Sequence, residues 1–412
     1  MIHMGDITGL DGAALPPVDC ITGGSPCQDL SIAGRRAGLA GERSGLFMEQ
    51  IRIVKEMRAH DRQAGRTGTD IRPRFMVWEN VPGALSSGRP KGADFAAVLA
   101  EIVGIAEPGA RLCVRIPDAG WPGAGLYYAD DGAWSIAWRV HDAQFWGVPQ
   151  RRKRIALVAD LGGLAAPEVL FERKGLPGDP DQGGPEGEAP SAGAGTDPAA
   201  AVTLRIRGGC EGGGKGALIQ VERSGALGCG QDQTLFCLGG ARAAGFKHKQ
   251  GAKARSVGFE YEVAPTLNAE TQSAVIDATG TRREACARRF TPMECERLQG
   301  YPDGWTDIGD WVDGRGRVRR TSDAARYRAL GNSIALPFWD WLLGRISALY
   351  GRAATLGSLF DGIGGFPLCW ERHNGAGTAL WASEIEPFCV AVTKRRFGGP
   401  TEGEADKREV KM

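Results

Sequence analysis

The stretch ATLGSLFDGIGGF (354–366) decides the fold class, because it predicts a buried strand, a glycine-rich turn and the start of a helix. Glycines at such a turn let a ligand approach the backbone and the helix N-terminus. The next predicted strand, TALWASE, ends in Glu384, and an acid about 20 residues after the turn is the usual partner of ribose hydroxyls. The pattern favours a nucleoside-bearing cofactor, and by itself it leaves a nicotinamide dinucleotide open.

Predicted strands and helices alternate through much of the remaining chain. Residues 18–24 and 75–81 are short apolar runs rich in β-branched or aromatic residues, which predicts buried parallel strands. Between them, the apolar residues of 44–60 follow a helical stripe. The same alternation continues with strands at 134–143 and 154–160, a helix within 327–350 that has Pro337 near a helix start, and a strand and helix in 378–397. We therefore predict an α/β layer fold.

The middle of the chain has a different composition. Residues 171–200 are rich in glycine, proline and acids, which predicts a linker or insertion without a core. Residues 201–285 hold many glycines and short predicted strands, and 201–260 carry nine basic and four acidic residues, a balance of 9 − 4 = +5. Such a segment can bind phosphates, although a solvated basic face gives the same count. We expect a smaller, loop-rich unit here.

Overall composition is that of an ordinary globular protein. The 412 residues are 42% apolar and 24% charged with a net charge of +1, and the length allows two domains. No apolar run reaches the roughly 18 residues of a membrane span, and the first residues lack the features of a secretory signal. The ten cysteines form no CxxC pair, which argues against a zinc site or a disulfide framework. We expect a cytoplasmic protein with no membrane or metal partner.

Two candidate catalytic side chains end predicted parallel strands. Cys27 follows the first strand in the string GGSPCQ (23–28), at the sheet edge where α/β proteins bind their ligands. This position predicts a nucleophile, with a buried structural thiol as the alternative. Glu79 ends the strand at 75–81, and beside such a nucleophile it could deliver a proton to a ring nitrogen.

A basic string, PQRRKR (149–154), precedes the strand at 154–160. Because side chains alternate along a strand, Arg152 and Arg154 should point to one face. Two guanidinium groups on one face suit contacts with phosphate or carboxylate, although a charged edge strand has the same pattern. Positive charge near Cys27 would also favour its thiolate.

These strings together closely resemble the motifs of the bacterial and phage cytosine-C5 DNA methyltransferase family. The string GGSPCQ resembles the catalytic fourth motif, and SLFDGIGGF (358–366) resembles the cofactor-binding first motif. The other strings are similar to the second motif (Glu384 in SEIEPF), the third (5–7), the sixth (79–81), the eighth (150–154), the ninth (289–302) and the tenth (331–333). The resemblance covers nearly everything except 161–285, where the family's target-recognition region varies.

The resemblance implies a doubly wound, Rossmann-like sheet that binds S-adenosylmethionine, and a smaller target-recognition domain. The motif order is circularly permuted, because the first and second motifs follow the tenth. This implies a catalytic domain built from 1–160 and 325–412, with the target-recognition domain at 161–324. The implied cofactor-binding residues are Asp6, Pro26, Asn332, Phe360, Asp361, Gly362, Gly364, Gly365 and Glu384.

Two structural expectations follow from the departures of this chain from the family. Ser358 stands where the family more often has Asp, so one cofactor contact is missing or is supplied by Asp361. Because of the permuted order, Met4 and Phe397 should lie close together on the surface, and residues 345–355 should form a short join between the tenth motif and the first.

By the same resemblance, a cytosine of double-stranded DNA flips out of the duplex into the pocket. Cys27 then adds to ring C6, Glu79 hydrogen-bonds the ring at N3, Arg152 and Arg154 lie nearby, and C5 accepts the methyl group. We expect a monomer that acts in restriction–modification or in phage DNA protection.

Three alternatives differ in substrate or class. An RNA cytosine-C5 methyltransferase of the tRNA-acting type keeps the chemistry, although the long basic insert favours DNA. A catalytically inactive DNA-binding relative would have no reason to keep all four of Cys27, Glu79, Arg152 and Arg154. A nucleotide-dependent oxidoreductase would leave the string GGSPCQ unexplained.

Overall fold

Helices and strands alternate in the computed structural model, which describes residues 1–25, 46–107, 114–171 and 290–398, and the backbone of strands at 201–206, 217–221, 233–237, 244–245, 274–275 and 286–289. The helices are α1 Leu46–Gln63, α2 Ala93–Ala106, α3 Ala165–Leu170, α4 Pro292–Gln299, α5 Asp323–Asn332, α6 Leu336–Ser347, α7 Gly365–Asn374 and α8 Pro387–Phe397. Within these ranges, no helix combines the length and the apolar character needed to cross a membrane.

The strands agree with the predicted segments wherever both can be compared. They are β1 Ile2–His3, β2 Cys20–Gly23, β3 Phe75–Asn80, β4 Ala124–Tyr128, β5 Ser135–Asp142, β6 Lys153–Asp160, β7 Ala201–Ile206, β8 Ala217–Val221, β9 Gln233–Cys237, β10 Ala244–Gly245, β11 Ala274–Val275, β12 Cys286–Arg289, β13 Asp310–Val312, β14 Val318–Arg320, β15 Leu356–Leu359 and β16 Ala379–Ser383. The predicted helical segment at 327–350 is divided between α5 and α6, because Pro337 starts a new helix there.

Eight of these strands form one mixed sheet in the order β1-β16-β15-β2-β3-β6-β5-β4. The strands from β1 to β3 in this order are parallel, whereas β6 is antiparallel to both β3 and β5. Counted from β15 around the chain, the parallel strands stand in the order 3-2-1-4-5, which is the order of doubly wound nucleotide-binding sheets. The predicted α/β doubly wound fold is confirmed, and this topology agrees with the permuted motif order.

Successive residues of the central strands pack to opposite faces of the sheet. Cys20 and Val77 belong to one hydrophobic core, and Ile21 and Trp78 belong to the other. The first core also holds the buried residues of α3, α6, α7 and α8, and the second holds those of α1 and α2. Because helices cover both faces, the strands are continuous apolar runs rather than alternating ones.

The segment at residues 1–4 lies against the end of α8. The amide of Met4 donates to the carbonyl of Ala382 at 2.8 Å, in line with the pairing of β1 and β16. The amino group of Met1 donates to the carbonyl of Phe397 at 3.3 Å. Met4 and Phe397, the two residues expected to be neighbours, are both partly exposed, and the contact that the structure shows is the one between Met1 and Phe397.

The predicted domain boundaries at 160 and 325 stay a prediction, and the packing of the two helices α3 and α4 between these positions bears on a finer proposal. Val169 of α3 and Cys295 and Leu298 of α4 are buried in the same core as α6 and α7. Burial of these apolar faces joins both helices to the large unit, and we propose that the smaller unit lies within 172–289. There the structure describes a four-stranded antiparallel sheet, β12-β9-β7-β8, and the pair β10-β11. The predicted linker at 171–200 lies, except for its first residue, outside the described residues.

Asp19 fastens β2 to the segment that leads into β15. Its buried carboxylate accepts bonds from the guanidinium of Arg352 at 2.7 and 2.8 Å and from the amide of Thr355 at 2.8 Å. Burial opposes ionisation of this group, but the bonds from Arg352 and Thr355 outweigh it and lower the pKa of Asp19.

Replacing Asp19 by Ala should lower the free energy of unfolding by about 2 kcal/mol at neutral pH, because the Thr355 amide and the half-exposed Arg352 lose their acceptor. The folded-state pKa is lowered, so this contribution is present above about pH 4 and is lost as the pH falls through the folded-state value. Urea unfolding across that range measures it. A difference between wild type and variant that does not shrink in acid would contradict the assignment.

Candidate active site

Four strands of the central sheet end at one edge, where they bring the candidate residues together. β2 ends before Gly24, β3 ends with Glu79 and Asn80, and β15 and β16 end before Phe360 and Glu384. Parallel strands place their carboxyl ends on the same side of a sheet, which is where doubly wound proteins bind their ligands.

The segment that leads toward Cys27 leaves β2 beside Glu79. A Cβ built on Gly24 would lie 3.2 Å from Glu79 Oε2, so the backbone passes close to this carboxylate. Ser25 is buried, and its hydroxyl accepts a bond from Trp78 Nε1 at 3.1 Å. Asn80 Nδ2 donates to the Ser25 carbonyl at 3.4 Å. Cys27 and Pro26 themselves lie outside the described residues, so their predicted roles stay predictions.

Glu79 and Arg154 form an ion pair at this edge. Arg154 Nε lies 2.8 Å from Glu79 Oε1, and the two side chains are 19% and 13% exposed. β3 and β6 are neighbours in the sheet, and the alternation of side chains directs Glu79 and Arg154 to the same face. The ion pair fixes the orientation of the carboxylate and leaves Oε2 directed toward Gly24.

Arg152 lies on the same side as Arg154 but has different partners. It is buried, and its guanidinium donates to the carbonyl of Gly331 at 3.4 Å and to that of Ser333. Its amide donates to Asp142 Oδ1 at 2.9 Å. The sequence predicts that both arginines point to one face and share a role. In the structure Arg154 pairs with Glu79, whereas Arg152 donates to carbonyls within residues 331–333.

Sequence reasoning does not select His141 as a site residue. In the structure it lies directly opposite Arg154, on the neighbouring strand β5. Its ring stacks on Phe338 with the centroids 3.6 Å apart, and neither ring nitrogen has a hydrogen-bond partner among the described residues. Burial, followed by the charges of Arg154, Arg139 and Arg152, lowers the pKa of His141 well below its usual range. The neutral ring therefore adds no further positive charge beside these arginines. The only signal of His141 in the sequence is that a polar residue stands in an otherwise apolar strand.

Glu384 links the glycine-rich turn to the start of α8. Its Oε2 accepts a bond from the amide of Gly362 at 2.7 Å, and its Oε1 accepts bonds from the amides of Ile385 and Glu386, both at 2.8 Å. Ile385, directly after it, is 69% exposed. A fixed carboxylate next to an exposed apolar side chain suits the ribose and the base of a nucleoside.

The turn from β15 into α7 contains three residues with positive φ, a backbone conformation that favours glycine. Phe360 has a φ of 55°, and Gly362 and Gly364 have φ values of 56° and 81°. A Cβ on Gly364 would lie 2.5 Å from the Phe397 ring, and one on Gly365 would lie 2.5 Å from the Tyr301 hydroxyl. A Cβ on Gly362 would meet no atom within 4 Å among the described residues. Gly364 and Gly365 therefore serve packing, and Gly362 borders open space where a ligand can approach.

Asp361 is a buried acid at this turn. Ser358 Oγ donates to Asp361 Oδ1 at 2.6 Å, while the buried Oδ2 atom has no partner among the described residues. Burial raises the pKa of Asp361 to about 8, although the bond from Ser358 acts in the opposite direction. The Ser358 hydroxyl therefore lies directly on the Asp361 carboxyl, and the cofactor contact expected of Asp361 stays a prediction.

Asp6 and Asn332, the remaining predicted cofactor residues, are both exposed. Asp6 follows β1 and accepts bonds from the amide and the hydroxyl of Thr8 at 3.0 and 2.9 Å. Asn332 ends α5, next to the Gly331 and Ser333 carbonyls that Arg152 holds.

Comparisons with known proteins agree with these motifs. Residues 1–101 match the family model described as C-5 cytosine-specific DNA methylase. The chain is 28% identical to a DNA N-6-adenine-methyltransferase of Escherichia phage P1, over 84% of this chain and 55% of that protein. It is 26% identical to a type II methyltransferase of Bacillus subtilis strain 168, over 80% of this chain and 60% of that protein.

The chain therefore spans a little more than half the length of these two relatives. Among solved structures, the methyltransferase EhMeth of Entamoeba histolytica has 12% sequence identity and a TM-score of 0.38, covering 81% of this chain and 78% of that one.

Replacing Asp361 by Asn should remove a pH dependence from stability. An acid whose pKa is raised on folding keeps its proton in the native state but loses it on unfolding between about pH 4 and pH 8, so wild-type stability falls as the pH rises through that window. Asn resembles the neutral acid, and the variant should gain on the order of 5 kcal/mol over wild type from one end of the window to the other. Urea unfolding at several pH values measures this gain.

The surface variant Asp340→Asn is the control, since Asp340 pairs with Arg372 outside the core. A stability difference between Asp361→Asn and wild type that is the same at both ends of the window would contradict a buried, protonated Asp361.

Proposed function

We propose that this chain, which belongs to the bacterial and phage DNA methyltransferase family, methylates C5 of cytosine in double-stranded DNA. The methyl donor is S-adenosylmethionine, as the family implies. The observation that carries the cytosine assignment is the Glu79 carboxylate, held by Arg154 next to the point where the chain leaves β2 for Cys27.

A thiol and a carboxyl together suit the chemistry of a cytosine carbon. C5 is a weak nucleophile until a group adds to the neighbouring C6. The Cys27 thiolate would form an S–C6 bond, and the electron pair of the C5–C6 double bond would become available at C5. Glu79, carrying a proton when the base is bound, would donate it to N3 and so neutralise the negative charge that the thiolate brings to the ring. C5 would then take the methyl group, and the donor would leave as the neutral thioether S-adenosylhomocysteine. Transfer of the C5 proton to water and return of the N3 proton to Glu79 would restore the double bond and release the Cys27 thiolate unchanged.

The ion pair with Arg154 prepares Glu79 for this role. Arg154 occupies Oε1, so the carboxylate cannot rotate freely, and Oε2 is the oxygen directed toward Gly24. A group that is oriented before substrate binds avoids the entropic cost of orienting it during the reaction. The positive charge of Arg154 at this edge would also favour the Cys27 thiolate. Arg152 is proposed as a positioning residue that acts through Gly331 and Ser333.

The residues at the ends of β15 and β16 fit the expected cofactor. Glu384 offers a fixed carboxylate to ribose hydroxyls, and Gly362 leaves the approach open. The buried Asp361 Oδ2 atom offers a partner to a polar group of the cofactor. When bound, the cofactor supplies a methyl group activated on a sulfonium. Phe360, Gly364, Gly365, Asp6, Pro26 and Asn332 complete the proposed binding residues.

Double-stranded DNA is the proposed partner, and the target base would leave the helix to reach this edge. The net charge of +5 on residues 201–260 supports a polyanionic partner. If the chain methylated a transfer RNA and not duplex DNA, the substrate would be assigned as RNA. Cytoplasmic localisation and action as a monomer belong to the same proposal.

Adenine N6 is the second candidate target, because the phage P1 relative is named a DNA N-6-adenine-methyltransferase. The chain covers only 55% of that relative. An exocyclic amine already carries a lone pair, so its methylation needs no thiolate addition to the ring. The two candidates therefore differ in whether Cys27 is required.

Cys27→Ala should abolish methyl transfer and leave the affinity for duplex DNA within about twofold of wild type, because the thiol acts only in the reaction. Duplex DNA that contains 5-fluorocytosine at the target base should trap wild type as a covalent complex, since the fluorine cannot leave as the proton does. A denaturing gel detects the complex.

Cys20→Ala is the matched control, because Cys20 lies buried in β2 on the same segment of chain and should have no part in trapping. Glu79→Gln should lower the rate of trapping by roughly a hundredfold or more. Covalent capture of the Cys27→Ala variant would refute the assignment of the nucleophile.

A further inference from the structure

The β13–β14 hairpin is a short arm that projects from the catalytic domain. It comprises Asp310–Val312 and Val318–Arg320, joined by the turn DGRGR at 313–317. The Thr321 amide and hydroxyl both donate to the Gly309 carbonyl, at 3.0 and 2.6 Å, which closes the base of the hairpin. The motifs described above do not account for this segment.

The hairpin lies at the active-site edge of the sheet. Trp311 packs edge-on against Phe388, with ring centroids 5.6 Å apart. Phe388 is the second residue of α8, and α8 begins directly after Glu384 and Ile385. Because β16 leads into α8 at the carboxyl edge, a hairpin that packs on the first turn of α8 lies at that edge.

The turn is rigid and presents one arginine at its tip. Asp313 Oδ1 accepts bonds from the amides of Arg315 and Arg317 at 2.9 and 3.0 Å. Asp313 also forms ion pairs with the guanidinium groups of Arg317 and Arg319, each at 3.0 Å. Arg315 stands between Gly314 and Gly316, so no neighbouring side chain covers it.

Two arginines of the hairpin, Arg315 and Arg320, form no ion pair with a described residue, although Asp310 stands opposite Arg320 in the strand pairing. Among the described residues, no carboxylate lies within ion-pair distance of Arg315 or Arg320, and both side chains are exposed. On the outward face, Val312 and Val318 pair across the strands and are 60% and 70% exposed. A surface with exposed cations beside apolar side chains matches a sugar–phosphate chain, which offers anionic phosphates and apolar sugar edges.

We propose that the β13–β14 hairpin contacts the backbone of duplex DNA beside the flipped base, with Arg315 and Arg320 on phosphates. The proposal rests on the proposed function, since it names a contact of the same DNA. A hairpin ordered in advance by Asp313 spends little entropy on binding. Phosphate contacts carry no sequence information, so the arm should add affinity without altering the methylated site.

The test compares the full-length double variant Arg315→Ala/Arg320→Ala with wild type in binding to a fluorescent duplex at several salt concentrations. Loss of two phosphate contacts should reduce the slope of log affinity against log salt by about 2 and weaken binding at low salt by roughly tenfold or more. The control Arg62→Ala/Arg66→Ala removes the same charge at the end of α1, on the opposite edge of the sheet.

A slope and an affinity equal to those of the control would overturn the proposal. So would a loss of affinity for S-adenosylhomocysteine, measured by calorimetry, with an unchanged salt slope, because the hairpin would then cover the cofactor edge. Failure of the proposed function gives a different result: wild type itself would neither bind duplex DNA with a salt-dependent affinity nor methylate it.

Discussion

The parallel pairing of β15 with β2 joins residues 336 positions apart in the chain, and the geometry of the site depends on it. Ser358 pairs with Thr22, and Leu359 pairs with Gly23. In this register the glycine-rich turn after β15 and the segment after β2 emerge side by side. A slip of one residue would turn every side chain of β15 to the other face of the sheet. Asp19 stabilises the register at the opposite end of the strands through Arg352 and Thr355.

The geometry of this site depends little on the order in which its strands follow one another along the chain. The strand ends of β15, β16, β2 and β3 converge because of their positions in the sheet and because both cores bury them. The segment before β15 can therefore follow α6 in the chain, and β1 pairs with β16 although the two strands lie far apart in the sequence.

The sequence predicts well whatever depends on local periodicity. The strands β2, β3, β5, β6, β15 and β16 lie where apolar, β-branched runs placed them, because burial on both faces requires such runs. Glu79 and Glu384 lie at the sheet edge where the sequence predicts them, because each stands at the end of a strand.

The sequence does not predict which side chains form hydrogen bonds and ion pairs with residues distant in the chain. Arg152 and Arg154 share a face, but only tertiary packing gives the first the carbonyls of Gly331 and Ser333 and the second the Glu79 carboxylate. The apolar stripes of α3 and α4 likewise do not say which core buries them, and the structure places both in the core that also holds α6 and α7. Cys27 and the predicted cofactor contact at Pro26 lie outside the described residues and stay predictions.

The identity of the methylated base tests the central claim most directly. Duplex DNA incubated with the chain and with S-adenosylmethionine carrying an isotopic label in its methyl group can be digested to nucleosides and analysed by mass spectrometry. A carbon nucleophile activated by Cys27 and Glu79 predicts label in 5-methyldeoxycytidine, at a site that bisulfite sequencing then locates. Label found only in N6-methyldeoxyadenosine would contradict the account.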